Sequence, residues 1–124
     1  MQELIIFKKS YDFSIWLMNH CNKFPKSHRF SVAVKLENGI LAFLRYISLA
    51  NHRAKKQPLL HLADEELLML RIFLRLSHDL KFISTSSYEY GSKQLEEIGK
   101  MLGGWLKSQN RAEQPAKGVE PSQV

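Results

Sequence analysis

A single cysteine, Cys21, excludes a disulfide framework and a thiolate zinc cluster, and it fits a reducing cytoplasm. No apolar run approaches the ~20 residues of a membrane span. The opening Met1-Gln2-Glu3-Leu4-Ile5-Ile6-Phe7-Lys8 lacks the long apolar region of a signal peptide. A soluble, cytoplasmic protein without membrane association is therefore expected. No alternating polar and apolar stretch reads as a strand. The five histidines include no pair at i, i+3 or i, i+4, which argues against helix-borne metal ligands. The carboxylate pairs Glu65/Glu66 and Glu96/Glu97 are adjacent, so on a helix they diverge and cannot act as a general acid and base. No Glu-x-x-His, phosphate loop or nucleophile elbow is present. Nothing supports an enzyme, a metal or a cofactor.

What remains is a chain of 124 residues, 44% hydrophobic, long enough for one domain with its own core. Apolar residues recur at helical spacing in four segments. The first runs from about Glu3 to Asn22, with Leu4, Phe7, Tyr11, Ile15 and Met18 as its stripe. Pro25 breaks it, and Ser27 is a candidate N-cap for a second helix, about His28 to His52, with Phe30, Val34, Ile40, Leu41, Leu44 and Ile47 inward. A third spans about Leu60 to Phe82, with Leu67, Leu70, Phe73, Leu74 and Leu80 inward. A fourth, capped by Ser86 or Ser87, ends near Ser108. Four such helices joined by short loops predict an all-α, antiparallel up-down four-helix bundle over residues 1–108, with a disordered tail at 109–124.

Eighteen basic residues against 12 acidic leave +6 with histidines neutral. In the tail Arg111 and Lys117 cancel Glu113 and Glu120, so the excess lies on the bundle and favours a polyanionic partner. Arg71, Arg75, His78 and Lys81 share one face of the third helix, the leucines being assigned to the opposite face. Arginines at that repeat can fork onto phosphate oxygens. Lys26, His28 and Arg29 cluster at the start of the second helix, whereas Lys55 and Lys56 read as a solvated loop. The expected phosphate contacts are Arg71, Arg75 and Lys81, then Lys26, Arg29 and Arg45. The fourth helix carries Gly91, Gly99, Gly103 and Gly104, each costing about 1 kcal/mol relative to alanine, alongside exposed-reading Lys93, Lys100 and Lys107 at every seventh position. Glycines retained at that cost imply close approach of another helix.

Six blocks carry a resemblance. Lys23-Phe24-Pro25-Lys26-Ser27-His28-Arg29-Phe30, Glu37-Asn38, Leu70-Arg71 to Leu74-Arg75-Leu76, His78-Asp79-Leu80-Lys81, Tyr88-Glu89-Tyr90 and Glu97-Ile98-Gly99-Lys100-Met101-Leu102-Gly103-Gly104-Trp105 are similar to the accessory variability determinant (Avd) proteins of diversity-generating retroelements. The similarity runs from about residue 9 to 108. A sister group of similar fold is encoded by intervening sequences in bacterial large-subunit ribosomal RNA genes. The resemblance implies a basic, barrel-like homopentamer that binds the retroelement's reverse transcriptase and its template RNA, with DNA as a further nucleic-acid ligand, and supports mutagenic cDNA synthesis. It gives Gly99, Gly103 and Gly104 a place in helix or subunit packing and puts Trp105 at such a contact, core packing within one subunit being the alternative. The competing class is a pure protein-interaction scaffold whose basic surface never touches nucleic acid.

Overall fold

The structure, a computed structural model, describes residues 2–113, with side chains from 5 to 112. Four long helices form the expected all-α bundle: α1 (Gln2–Cys21), α2 (Val34–Asn51), α3 (Gln57–Asp79) and α4 (Thr85–Glu113). One helical turn, Lys26–His28, and a π-helical segment, Arg29–Ala33, lead into α2. No strand occurs among the described residues. α1 packs chiefly on α2 and α4, and α3 on the same two, so α1 and α3 are diagonal. The loops after α1 and after α3 share one end of the bundle. The loop after α2 lies at the other, with the C-terminus of α4.

The helix ends differ from expectation, each for a local reason. The turn at Lys26 follows Pro25 with no side-chain cap, so Ser27 does not cap it. α3 starts earlier than expected because Pro58 is tolerated in a first turn, where its missing N–H is not needed. It stops at Asp79 in a Schellman arrangement. The Phe82 N–H donates to the Ser77 carbonyl (2.8 Å) and the Lys81 N–H to that of His78 (2.9 Å). Lys81 adopts φ 65° there, a left-handed conformation usually filled by glycine. The N-cap of α4 is Ser84, whose Oγ accepts the Ser87 N–H at 3.1 Å, in place of Ser86 or Ser87. α4 continues to Glu113, so residues 109–113, assigned to the tail, are helical; residues 114–124 lie outside the described part.

The core is built from Ile6, Phe13 and Leu17 of α1, Leu36, Ile40, Phe43 and Ile47 of α2, Leu60, Leu67, Leu70 and Leu74 of α3, and Leu95, Ile98, Leu102 and Trp105 of α4. The inward stripe of α1 is not the one expected. Phe7, Tyr11 and Ile15 are exposed, and the buried line runs Ile6, Ser10, Phe13, Ser14, Leu17, Cys21. On the π-helical segment and α2, Phe30 and Leu41 are exposed while Ala33, Leu36 and Phe43 are buried. On α3, Phe73 is half-buried and Leu80, beyond the helix end, is exposed.

Two glycines of α4 predict opposite outcomes. A Cβ on Gly91 would stand 2.8 Å from Trp16 Cη2 and 3.0 Å from Leu74 Cδ2, whereas one on Gly103 would meet nothing within 4 Å. Gly91→Ala is expected to lose about 1–2 kcal/mol, overpacking outweighing the gain in helix propensity. Gly103→Ala is expected to gain about 1 kcal/mol. Urea denaturation checks both: a stabilised Gly91→Ala would mean that the Trp16 ring yields freely, and a destabilised Gly103→Ala that another chain covers this position.

Candidate nucleic-acid interface

The six cations expected to meet phosphate fall into three places. Arg71 and Arg75 are exposed on α3. The Arg71 guanidinium lies over Gly99 of α4, in the space a Cβ would fill, beside a shallow groove lined by Tyr88, Glu89, Ser92, Lys93 and Glu96. Gly99 thus admits an arginine side chain where a helix backbone was expected. Arg75 Nε pairs with Asp79 Oδ2 at 3.7 Å, and both side chains are largely solvated, so the pair contributes only a few tenths of a kcal/mol.

Lys81 is off the α3 face altogether, at the left-handed position of the Schellman turn that ends the helix. It belongs instead with Lys26 and Arg29. The His28 and Phe82 rings lie 4.6 Å apart and those of Phe24 and Phe82 5.3 Å apart, so one aromatic cluster ties the loop after α1 to the loop after α3. Lys26, Arg29 and Lys81 are all exposed, with Arg29 Nη2 donating to the Asn22 carbonyl at 3.2 Å. Arg45 is exposed midway along α2, apart from both groups.

The leucines of α3 do not all oppose its arginines. Leu68, Ile72 and Leu76 are exposed at one-turn intervals on the outward side, next to Arg71 and Arg75. A second outward stripe, Phe7, Tyr11 and Ile15, runs along the diagonal helix α1, with the Phe7 and Tyr11 rings stacked at 5.9 Å. Sequence reading missed both as surfaces. The signal was present as a second i, i+4 apolar run beside the one that folds inward.

Around this surface the polar groups are structural. His20 Nδ1 lies 3.0 Å from the Trp16 carbonyl oxygen and its Nε2 3.3 Å from Ser87 Oγ. His78 Nε2 lies 3.1 Å from Thr85 Oγ1, its ring stacked on Tyr88 at 4.6 Å. These contacts fasten α1 and α3 to the first turn of α4. Lys9 meets Glu97 at 2.5 Å, and this hydrogen bond above all holds the Glu97 carboxyl below its ordinary value. Lys93, Lys100 and Lys107 are exposed along α4 as expected. Lys56 is not a solvated loop cation: its ammonium donates to the carbonyls of Ala50 (3.0 Å), Asn51 (3.3 Å) and Arg53 (2.7 Å), closing the end of α2. Trp105 is buried within the subunit core and Gly104 is half-buried. Among the described residues no group of three or more His, Cys, Asp and Glu could hold a metal, and no helix is long and apolar enough to cross a membrane.

The fold has a solved counterpart. The crystal structure of a protein with unknown function from the S23 ribosomal protein family of Bacteroides thetaiotaomicron aligns with TM-score 0.79 at 19% identity, covering 86% of this chain and 99% of that one. At that identity the likeness is one of fold. No curated protein matches the chain. The sequence profile of the bAvd-like family matches residues 4–109, from the first turn of α1 to within the last turns of α4, and the chain therefore belongs to the bAvd-like family.

Proposed function

We propose that this is an Avd-type accessory protein of a diversity-generating retroelement: a non-enzymatic homo-oligomer, in the family's manner a barrel-like pentamer, that binds template RNA and docks the reverse transcriptase during mutagenic cDNA synthesis. Membership of the bAvd-like family supports this role. The observation that carries it is the outward side of α3, where exposed Arg71 and Arg75 adjoin the unpartnered stripe Leu68, Ile72 and Leu76. Cations there can neutralise phosphates while the apolar stripe meets protein. The differing stripe on α1 lies on the diagonally opposite helix, an arrangement suited to head-to-tail contacts that close into a ring.

The test is a salt titration of binding to a structured RNA, comparing native protein with Arg71→Ala/Arg75→Ala. Each neutralised phosphate contributes ~0.7–0.9 to the slope of log K against log salt. The double variant is expected to lower that slope by about 1.5 units with little change in sequence preference. Affinity independent of salt, or no affinity at low salt, would leave only the protein-scaffold reading.

A further inference from the structure

Phe30 is the most exposed large apolar side chain described, at 88%, in a protein whose other aromatic rings mostly pack together. It sits in the π-helical segment Arg29–Ala33, a rare winding that is frequent at functional positions. Being almost wholly solvated, it contributes next to nothing to the core, so folding does not account for it. Its setting is mainly basic, with Asp79 at the end of α3 as a carboxylate beside Lys81. Between Asn22 and Ala33 the chain carries Lys23, Lys26 and Arg29 and no carboxylate. The facing loop from Leu80 to Ser84 carries Lys81 and again no carboxylate. The contacts of Phe82 with Phe24 and His28 hold these two loops together. Lys81 keeps its cation in that loop in a left-handed conformation that glycine would adopt more cheaply. Two departures from what stability favours, a solvated phenylalanine and a left-handed lysine, thus occur at the same end of the bundle.

The geometry points to this end as a binding site for unpaired nucleotides, with a base stacked on Phe30 and the flanking phosphates on Lys26, Arg29 and Lys81. The inference rests on the RNA-binding reading above and makes it specific. A ring with open faces beside several cations is the combination by which single strands are held without a sequence code. A duplex keeps its bases stacked inside and offers Phe30 none. An acidic protein segment would match the cations and cover the ring with an apolar side chain of its own, but it predicts no oligoadenylate affinity that depends on Phe30.

The experiment is fluorescence anisotropy with a labelled oligoadenylate of about 12 nucleotides and with an RNA duplex of equal phosphate count. Phe30→Ala is expected to weaken oligoadenylate binding about tenfold. It should leave duplex binding and the salt slope unchanged, because no charge is removed, and Phe30→Trp should retain the affinity. Lys26→Ala/Arg29→Ala should instead lower the oligoadenylate slope by about 1.4 units. Equal oligoadenylate affinity of the native protein and Phe30→Ala would overturn the stacking site while leaving the RNA reading intact. Native protein that binds neither RNA would overturn both. A Phe30→Ala variant that changes sedimenting size but not RNA affinity would assign the ring to contact between copies, against the inference.

Discussion

Ile72→Glu is expected to leave the helical content of the chain intact and to reduce its sedimenting size to that of one subunit. Within a subunit Ile72 is 49% exposed, so a glutamate there keeps its charge in water and costs the fold little. In a contact between subunits the same carboxylate would be taken out of water, and pairing with Arg75 three residues on offsets only part of a penalty of several kcal/mol. That is enough to dissociate an assembly of micromolar strength, which is worth ~8 kcal/mol in all. Leu68 and Leu76 lie one turn to either side, so the charge falls at the centre of the stripe. Tyr11→Glu on the α1 stripe supplies the second arm, Tyr11 being 50% exposed. A head-to-tail ring uses both stripes in every contact, and either substitution should open it. Disruption by only one would mean a two-fold contact through a single face. A native chain that sediments as a monomer at high concentration would end the oligomer reading.

Lys56→Ala is expected to destabilise the fold by about 2 kcal/mol, lowering Tm by about 8 °C in a domain of this size. The last carbonyls of a helix have no partners of their own, and they form the negative end of its dipole. Lys56 answers both needs at the end of α2 with one ammonium on three carbonyls. Truncation removes those bonds and leaves the carbonyl of Ala50, in the core, with backbone donors alone, among them the Arg53 N–H at 3.1 Å. Lys55→Ala is the control, since Lys55 is exposed and its loss should fall within about 0.5 kcal/mol of native. Thermal denaturation followed by circular dichroism decides. Equal Tm values for the two variants would show that the observed bonds contribute nothing.

The helical class and the four segments were legible because period and breaks agreed along the chain. Which stripe of each helix faces inward was not. In α1, Phe7, Tyr11 and Ile15 satisfy the helical period as well as Ile6, Phe13 and Leu17 do, and the buried line is diluted by Ser10 and Ser14. Hydrophobicity alone therefore favours the outer stripe. Two apolar stripes on one helix are the signature of a surface covered on both sides, but a sequence does not rank them. Phe30 was assigned to the core because α2 was extended without interruption through the π-helical segment, whose wider turn breaks the phase. Lys81 was placed on the face of α3 because no glycine announces the Schellman turn that ends the helix. The basic character of the site was readable from composition. Its division between α3 and the loop end depends on contacts such as His28 with Phe82, which join residues far apart in the chain.

Cys21 has a practical consequence. Its thiol is buried against the Ala33 carbonyl, and burial, reinforced by the charge of Glu37, pushes its pKa up to about 12. The thiolate that maleimides and disulfide reagents attack is therefore scarce and shielded. Since the chain has no other cysteine, any thiol added at the surface becomes the one these reagents find. Ser31→Cys would seat a single dye beside Phe30 in every copy without first removing the native thiol.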